Sequence, residues 1–103
     1  ALPLVEIGSD VWIGRNVSVK TGVKIGNGCV IGERSLINRD CKPFGVYAGT
    51  PARLIRFRFE KNVIESLTRI KWWDWSMSKI KENNVFFGAD LVNYKGNIDS
   101  LIT

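Results

Sequence analysis

The chain has 103 residues, with 15 basic and 10 acidic side chains, two cysteines, no histidine and a net charge of +5. That length allows one domain, and no apolar run approaches the roughly 18 residues a membrane span requires. Without histidine these residues hold no histidine-bearing metal centre and no Ser–His or Cys–His nucleophile; the positive balance suits an anionic ligand without identifying it.

From Ile7 an aliphatic residue returns at every sixth position, at Ile13, Val19, Ile25, Ile31 and Ile37. An α-helix would walk such a stripe around its cylinder. One long strand is excluded because Gly8, Gly14, Gly26 and Gly32 follow the aliphatics too densely. Short strands with regular corners remain. The residue two before each aliphatic is Val5, Val11, Val17, Val23, Cys29 and Ser35, so each unit sends two side chains inward and one outward. Ser9-Asp10, Arg15-Asn16 and Gly26-Asn27-Gly28 supply corner residues.

Hexapeptide repeats predict a parallel β-helix. With three units per coil, residues eighteen apart stack at about 4.8 Å. Ile7 then lies under Ile25, Ile13 under Ile31 and Val19 under Ile37, while outward Trp12 lies under Val30. Residues 7–42 make about two coils, a thin core expected to lean on earlier coils or neighbouring chains. The chain enters the pattern at Ala1-Leu2-Pro3-Leu4-Val5 without an initiator Met, and reads as the C-terminal part of a longer protein. Cys29 and Cys41 occupy inward slots two sides apart, so they are expected to be unpaired core filler in a reducing cytoplasm.

Pro43-Phe44-Gly45 ends the regular pattern, and "YAGTPARLIR" is expected to be a loop and exit strand. A helix is predicted from about Asn62 to Lys71, with Asn62 as cap, Glu65 at the third position, and Val63, Ile64, Leu67, Thr68 and Ile70 as its apolar face. A second short helix starts after Ser76 and carries Met77 and Ile80; residues 83–103 read as loop and short elements. "KWWDW", Lys71 to Trp75, reads as aromatic glue between a helical tail and the β-helix. The competing reading is a stacking surface for a ligand or nucleic acid. Nucleic acid is disfavoured because basic residues are not interleaved with the rings. The expected organisation is coils and exit loop over residues 1–59 and a helical tail packed on them over residues 60–103.

The repeats, followed by "GVYAGTPARLIRFRF" and "IKWWDW", resemble the hexapeptide-repeat acyltransferases of the xenobiotic acetyltransferase branch. That branch contains type B chloramphenicol acetyltransferases, streptogramin acetyltransferases and similar sugar O-acetyltransferases. The resemblance covers about residues 5–82. It implies a left-handed coil, against the usual right-handed crossover, a cytoplasmic homotrimer, and acetyl-CoA bound between subunits, with no metal, membrane or nucleic-acid partner. Carried over by position, Trp12 meets the cofactor, the acceptor or a neighbouring subunit. Backbone at Arg15 and Glu33 meets the pantetheine arm. Asn38 and Arg39 stand where relatives often have a Thr-Lys pair, and Arg53 and Arg56 match basic residues that meet nucleotide phosphates. A solvated exit strand is the bland reading of those two arginines; Arg58 and Lys61 are expected to be solvated.

Acetyl transfer to a hydroxyl needs a base and donors for the developing oxyanion. In the family the base is a histidine on an earlier coil, so no catalytic residue is assigned in this chain and an upstream histidine is expected. The leading reading is an acetyl-CoA-dependent O-acetyltransferase of an antibiotic or a surface sugar, a class that includes antibiotic resistance enzymes. The alternative is a non-catalytic trimeric β-helix kept for assembly.

Overall fold

The structure, a computed structural model, describes residues 3–103. Two compact units are present, one ending at Arg58 and one beginning at Phe59.

In the first unit the six-residue period becomes six short strands: β1 Glu6–Ile7, β2 Trp12–Ile13, β3 Ser18–Val19, β4 Lys24–Ile25, β5 Val30–Ile31 and β6 Leu36–Ile37. They pair in parallel at an offset of eighteen: Ile7 with Ile25, Ile13 with Ile31, Val19 with Ile37. Backbone bonds such as Gly8 N–H to Ile25 C=O (2.8 Å) and Gly14 N–H to Ile31 C=O (2.9 Å) close each rung. Asp10, Asn16, Gly22, Gly28 and Arg34, again six apart, all turn through positive φ, so the corners are as periodic as the strands.

The third coil departs from the sequence expectation. The segment read as a loop contains a strand, β7 Gly45–Gly49, stacked on β5. Its offset is sixteen, Val30 to Val46 and Ile31 to Tyr47, and Ile25 meets Cys41 at the same offset. The Asp40 carboxylate accepts from Lys24 N–H at 2.9 Å in that shortened turn. β8 Ala52–Phe57 returns antiparallel to β7, giving a sheet of order β2-β5-β7-β8.

Val23, Ile25, Cys29, Ile31, Ile37, Cys41 and Tyr47 form the core. Ile25 and Ile31 are 2% and 0% exposed, whereas Ile7 and Ile13 in the same columns are 52% and 38% exposed. Period fixes which way a side chain points; burial needs a coil on both sides, and among the described residues the first coil has one on a single side. Both cysteines are free and buried. Burial raises the Cys29 thiol and pushes Cys41 up to about 11.

Arg58 is not solvated as expected. Its Nη1 donates to the Asp10 carboxylate (3.2 Å) and to the Gly28 carbonyl (2.9 Å), and its guanidinium lies 5.9 Å from the Phe44 ring centroid. It ties the end of β8 to the corners of two coils. Each charge-assisted bond contributes about 1–2 kcal/mol here, because both partners keep about a third of their exposure.

In the second unit, α1 spans Lys61–Ile70. It starts one residue before the expected cap; Glu60 takes the cap position without a side-chain hydrogen bond, and Asn62 lies inside the first turn. Val63 and Leu67 are buried, but Thr68 is exposed, one step off the apolar stripe. Lys71 ends the helix in the left-handed region, its N–H bonded to Leu67 C=O. α2 Met77–Glu82 is capped by Ser76 Oγ, which accepts from Lys79 N–H. α3 Asn84–Gly88 follows, and a 3-10 turn at Ile98–Leu101. The "KWWDW" rings pack within this unit: Trp72 on Phe87 (5.3 Å), Trp75 on Phe86 (5.7 Å), with Lys79 4.5 Å over Trp75. Buried Asn83 donates to Lys79 C=O and accepts from both Thr103 N–H and its hydroxyl, joining α2 to the last residue. Among the described residues no helix is long and apolar enough to cross a membrane.

Candidate cofactor site

The register assigns side chains to the outer face of the four-stranded sheet. Trp12 pairs with Val30, Val30 with Val46, and Val46 with Arg56; Ala48 pairs with Arg53. Cross-strand partners share a face. Tyr47, between Val46 and Ala48, points into the core and is buried. Trp12, 61% exposed, therefore begins an apolar strip through Val30 and Val46 that ends at two arginines. Three inter-strand steps of about 4.8 Å make it roughly 14 Å long.

Arg53 and Arg56 are three apart, which in a regular strand would put them on opposite faces. A bulge prevents this: Val46 pairs with Arg56 but its neighbour Tyr47 pairs with Leu54, leaving Ile55 as the extra residue. Among the described residues each arginine bonds a nearby main-chain carbonyl, Arg53 Nη1 to Ala52 (3.1 Å) and Arg56 Nη1 to Phe57 (3.3 Å). Among the described residues neither meets a carboxylate.

Asn38 and Arg39 sit elsewhere, at the mouth of a cavity of about 160 Å³ whose walls include Cys41, Tyr47 and Leu54. Arg53 borders this cavity as well, so it links the two regions. Arg15 and Glu33 occupy stacked corners just beyond β2 and β5. The Glu33 carboxylate lies 3.9 Å from Arg15 Nε and 3.7 Å from Arg34 Nε. The Arg15 carbonyl accepts from Arg34 N–H at 2.9 Å and so is already engaged in the coil.

Sequence reasoning missed Val46 and Ala48. The available signal was alternation around inward Tyr47; the drop from eighteen to sixteen hid it. A larger cleft, about 430 Å³, lies in the second unit between α1 and Gly96–Ile98. The arginine on its wall, Arg69, is held by Asp99 at 2.8 Å. We place the site on the sheet face because apolar and cationic groups converge there.

Three carboxylates of the coil turns are engaged. Asp10 is paired with Arg58, Asp40 with Lys24 N–H, and Glu33 with two arginines. The Tyr47 hydroxyl accepts from Lys42 N–H, and burial raises its pKa. Among the described residues no three of His, Cys, Asp or Glu cluster as a metal site.

Residues 5–39 match the family described as bacterial transferase hexapeptide (six repeats). The chain is 48% identical over 75 residues to a chloramphenicol acetyltransferase of Klebsiella aerogenes, covering 73% of this chain and 36% of that one. It is 43% identical over 77 residues to a probable macrolide acetyltransferase of Lysinibacillus sphaericus, covering 75% and 43%. A hexapeptide-repeat acetyltransferase of Vibrio cholerae, solved with acetyl coenzyme A, superposes with a TM-score of 0.55 at 40% identity over 56% of this chain and 32% of that one. A galactoside acetyltransferase solved with coenzyme A gives 0.51 at 45% identity, over 52% and 26%. The chain thus spans between a quarter and less than half of these relatives.

Proposed function

We propose that this chain, whose residues 5–39 match the bacterial transferase hexapeptide family, forms the cofactor-facing part of an acetyl-CoA-dependent O-acetyltransferase. The observation that carries this is the single outer face on which an apolar strip, Trp12–Val30–Val46, runs into Arg53 and Arg56. Acetyl-CoA has that polarity along its length: a thioester and a pantetheine arm at one end, phosphates at the other. Guanidinium forks suit phosphate, and the pantetheine arm suits an apolar strip. The names of the relatives and the bound ligands of the solved neighbours support the same reading.

In this reading Trp12 flanks the pantetheine arm, the Arg15 and Glu33 corners offer it main-chain groups, and Asn38 and Arg39 complete the nucleotide end through the cavity they share with Arg53. The coil is left-handed, as in the family. The acceptor is a hydroxyl on an antibiotic or a surface sugar. The base is a histidine from outside these 103 residues. Two unpaired buried thiols suit a cytoplasmic setting.

Calorimetry of acetyl-CoA and 3′-dephospho-CoA against this chain tests it. Arg53→Ala and Arg56→Ala should each weaken acetyl-CoA by about 1.5–3 kcal/mol, the worth of a charge-assisted bond. Equal losses for both ligands would move the arginines to the pyrophosphate. No binding by the unaltered chain would leave the trimeric assembly scaffold as the better reading.

A homotrimer belongs to the proposal. The three outer columns differ: Glu6 over Lys24 is charged, Trp12 over Val30 is apolar, and Ser18 over Leu36 is mixed. Two unlike faces able to take cover fit a heterologous interface, which closes as a ring. Light scattering is expected to give three copies; a stable monomer at micromolar concentration would count decisively against it.

A further inference from the structure

The cleft of the second unit takes no part in the cofactor reading. One wall is a face of α1, where Asn62, Glu65, Ser66 and Arg69 follow one another at helical spacing, and Gly96–Ile98 lies opposite. Val63 and Ile98, both buried, give it an apolar floor. Asn62 and Gly96 also border a neighbouring cavity of about 190 Å³ that carries Tyr94 and Lys95, so the two adjoin as one groove. The cleft alone, at about 430 Å³, falls within the roughly 300–1,000 Å³ of ordinary small-molecule pockets.

The groups along this groove are polar and several are free. The Asn62 amide and the Ser66 hydroxyl make no hydrogen bond among the described residues. Asn97 Oδ1 accepts from Asp99 N–H at 3.0 Å, which leaves its amide NH2 to donate. At the Arg69 end, Asp99 Oδ2 takes the guanidinium at 2.8 Å while Oδ1 is buried without a partner among the described residues, so that end is short of a donor. Charge does not select a sign: an anion would meet Glu60 and Glu65, and a cation would meet Lys95 and Arg69. The occupant that fits is neutral, both donates and accepts, and has an apolar C–H face for Val63 and Ile98. A sugar ring has those properties. Tyr94, its hydroxyl 3.2 Å from Ser100 Oγ, gives a second ring an aromatic face to stack on.

We propose that this groove is a saccharide-binding site for one or two neutral sugar rings, contained wholly in the second unit. Asn62, Ser66 and Asn97 bond the ring hydroxyls, and the Val63–Ile98 floor takes the C–H face. The site does not depend on the cofactor reading, because none of its residues belongs to the sheet face. Neutral hydrogen bonds in an open groove give weak binding, on the order of millimolar.

The test is an amide NMR titration of the full chain with maltose, lactose and N,N′-diacetylchitobiose. At least one should shift the amides of Asn62, Ser66 and Asn97, with a Kd of about 1–10 mM. Asn62→Ala removes an exposed side chain with no bond to lose, and should weaken that sugar by about threefold to tenfold while keeping the parent's acetyl-CoA affinity. Ser66→Trp fills the cleft and should abolish sugar binding. Inorganic phosphate should leave these amides in place. No shift with any of the three sugars at about 50 mM would overturn the proposal. So would shifts centred on Trp12 and Val30, which would make the sugar a ligand of the sheet face, or phosphate that displaces the sugar from the groove. Unchanged sugar affinity in Asn62→Ala would overturn it too, and that variant decides if Ser66→Trp fails to fold. Sugar binding by a chain that takes no acetyl-CoA would sustain this site and remove only the cofactor reading.

Discussion

Gly28→Ala is expected to destabilise the first unit by about 2–5 kcal/mol. Two costs add at this corner. Gly28 has φ of 73°, a region that costs an L-residue about 1–2 kcal/mol. A Cβ there would also run into the ring of Phe44, which is 1% exposed and cannot swing aside. Overpacking of that kind typically costs about 1–3 kcal/mol. The same residue is a junction of three segments. Its N–H donates to Ser9 C=O, its carbonyl accepts from Arg58, and Phe44 N–H bonds the carbonyl of neighbouring Asn27. Against a total stability of about 5–15 kcal/mol for a small domain, such a loss should lower the melting temperature by ten degrees or more. Gly88→Ala is the control, because a Cβ there meets nothing within 4 Å and its φ is ordinary. A denaturant melt in which Gly28→Ala falls within about 0.5 kcal/mol of the parent would show that the corner yields, contrary to this account.

That corner also shows how far the residues alone could be read. The period of six gave the stacking partners Ile7–Ile25, Ile13–Ile31 and Val19–Ile37, and the outward pair Trp12–Val30, all present in the register. Those pairings follow from local geometry repeated without change, so sequence suffices. It fails where the repeat changes length. Shortening to sixteen residues turned an expected loop into β7, and the bulge at Ile55 reversed the parity of Arg56. It fails too for long-range polar contacts: nothing near Arg58 in the chain announces Asp10, 48 residues away. In the tail, Ser76 capped the helix its position suggested, whereas Asn62 was overtaken by a start at Lys61. Helix ends are set by small energies that neighbours outweigh. Of the candidate site, Trp12, Arg53 and Arg56 are brought to one face and Asn38, Arg39 and Arg53 to one cavity. The residues that join the two arginines to the strip, Val46 and Ala48, emerge only with the third coil.

The second large effect concerns turnover. Given acetyl-CoA and a panel of chloramphenicol, streptogramin A and simple sugars, this chain alone is expected to release free thiol at the background rate. Taking a proton from the acceptor hydroxyl is work for a general base, and a positioned one typically contributes about 10²–10⁴-fold. The chain has no histidine. Asp10, Glu33 and Asp40, in the turns of the coils, are the candidate substitutes, and the structure gives each another task. Asp10 Oδ2 is 3.2 Å from Arg58 Nη1, Asp40 Oδ1 accepts from Lys24 N–H at 2.9 Å, and Glu33 lies within 4 Å of two guanidinium groups. Carboxylates are in any case weak bases toward an alcohol. The buried thiols are no better, since burial holds Cys29 and Cys41 in the neutral form. What remains is the proposed cofactor face, which in that reading holds the donor without activating the acceptor. Thiol release well above background, abolished by Asp40→Asn, Glu33→Gln or Asp10→Asn, would sink this expectation and name the base. Background release together with measurable acetyl-CoA binding is the outcome the proposed reading expects, with positioning on this chain and proton transfer supplied from outside these residues.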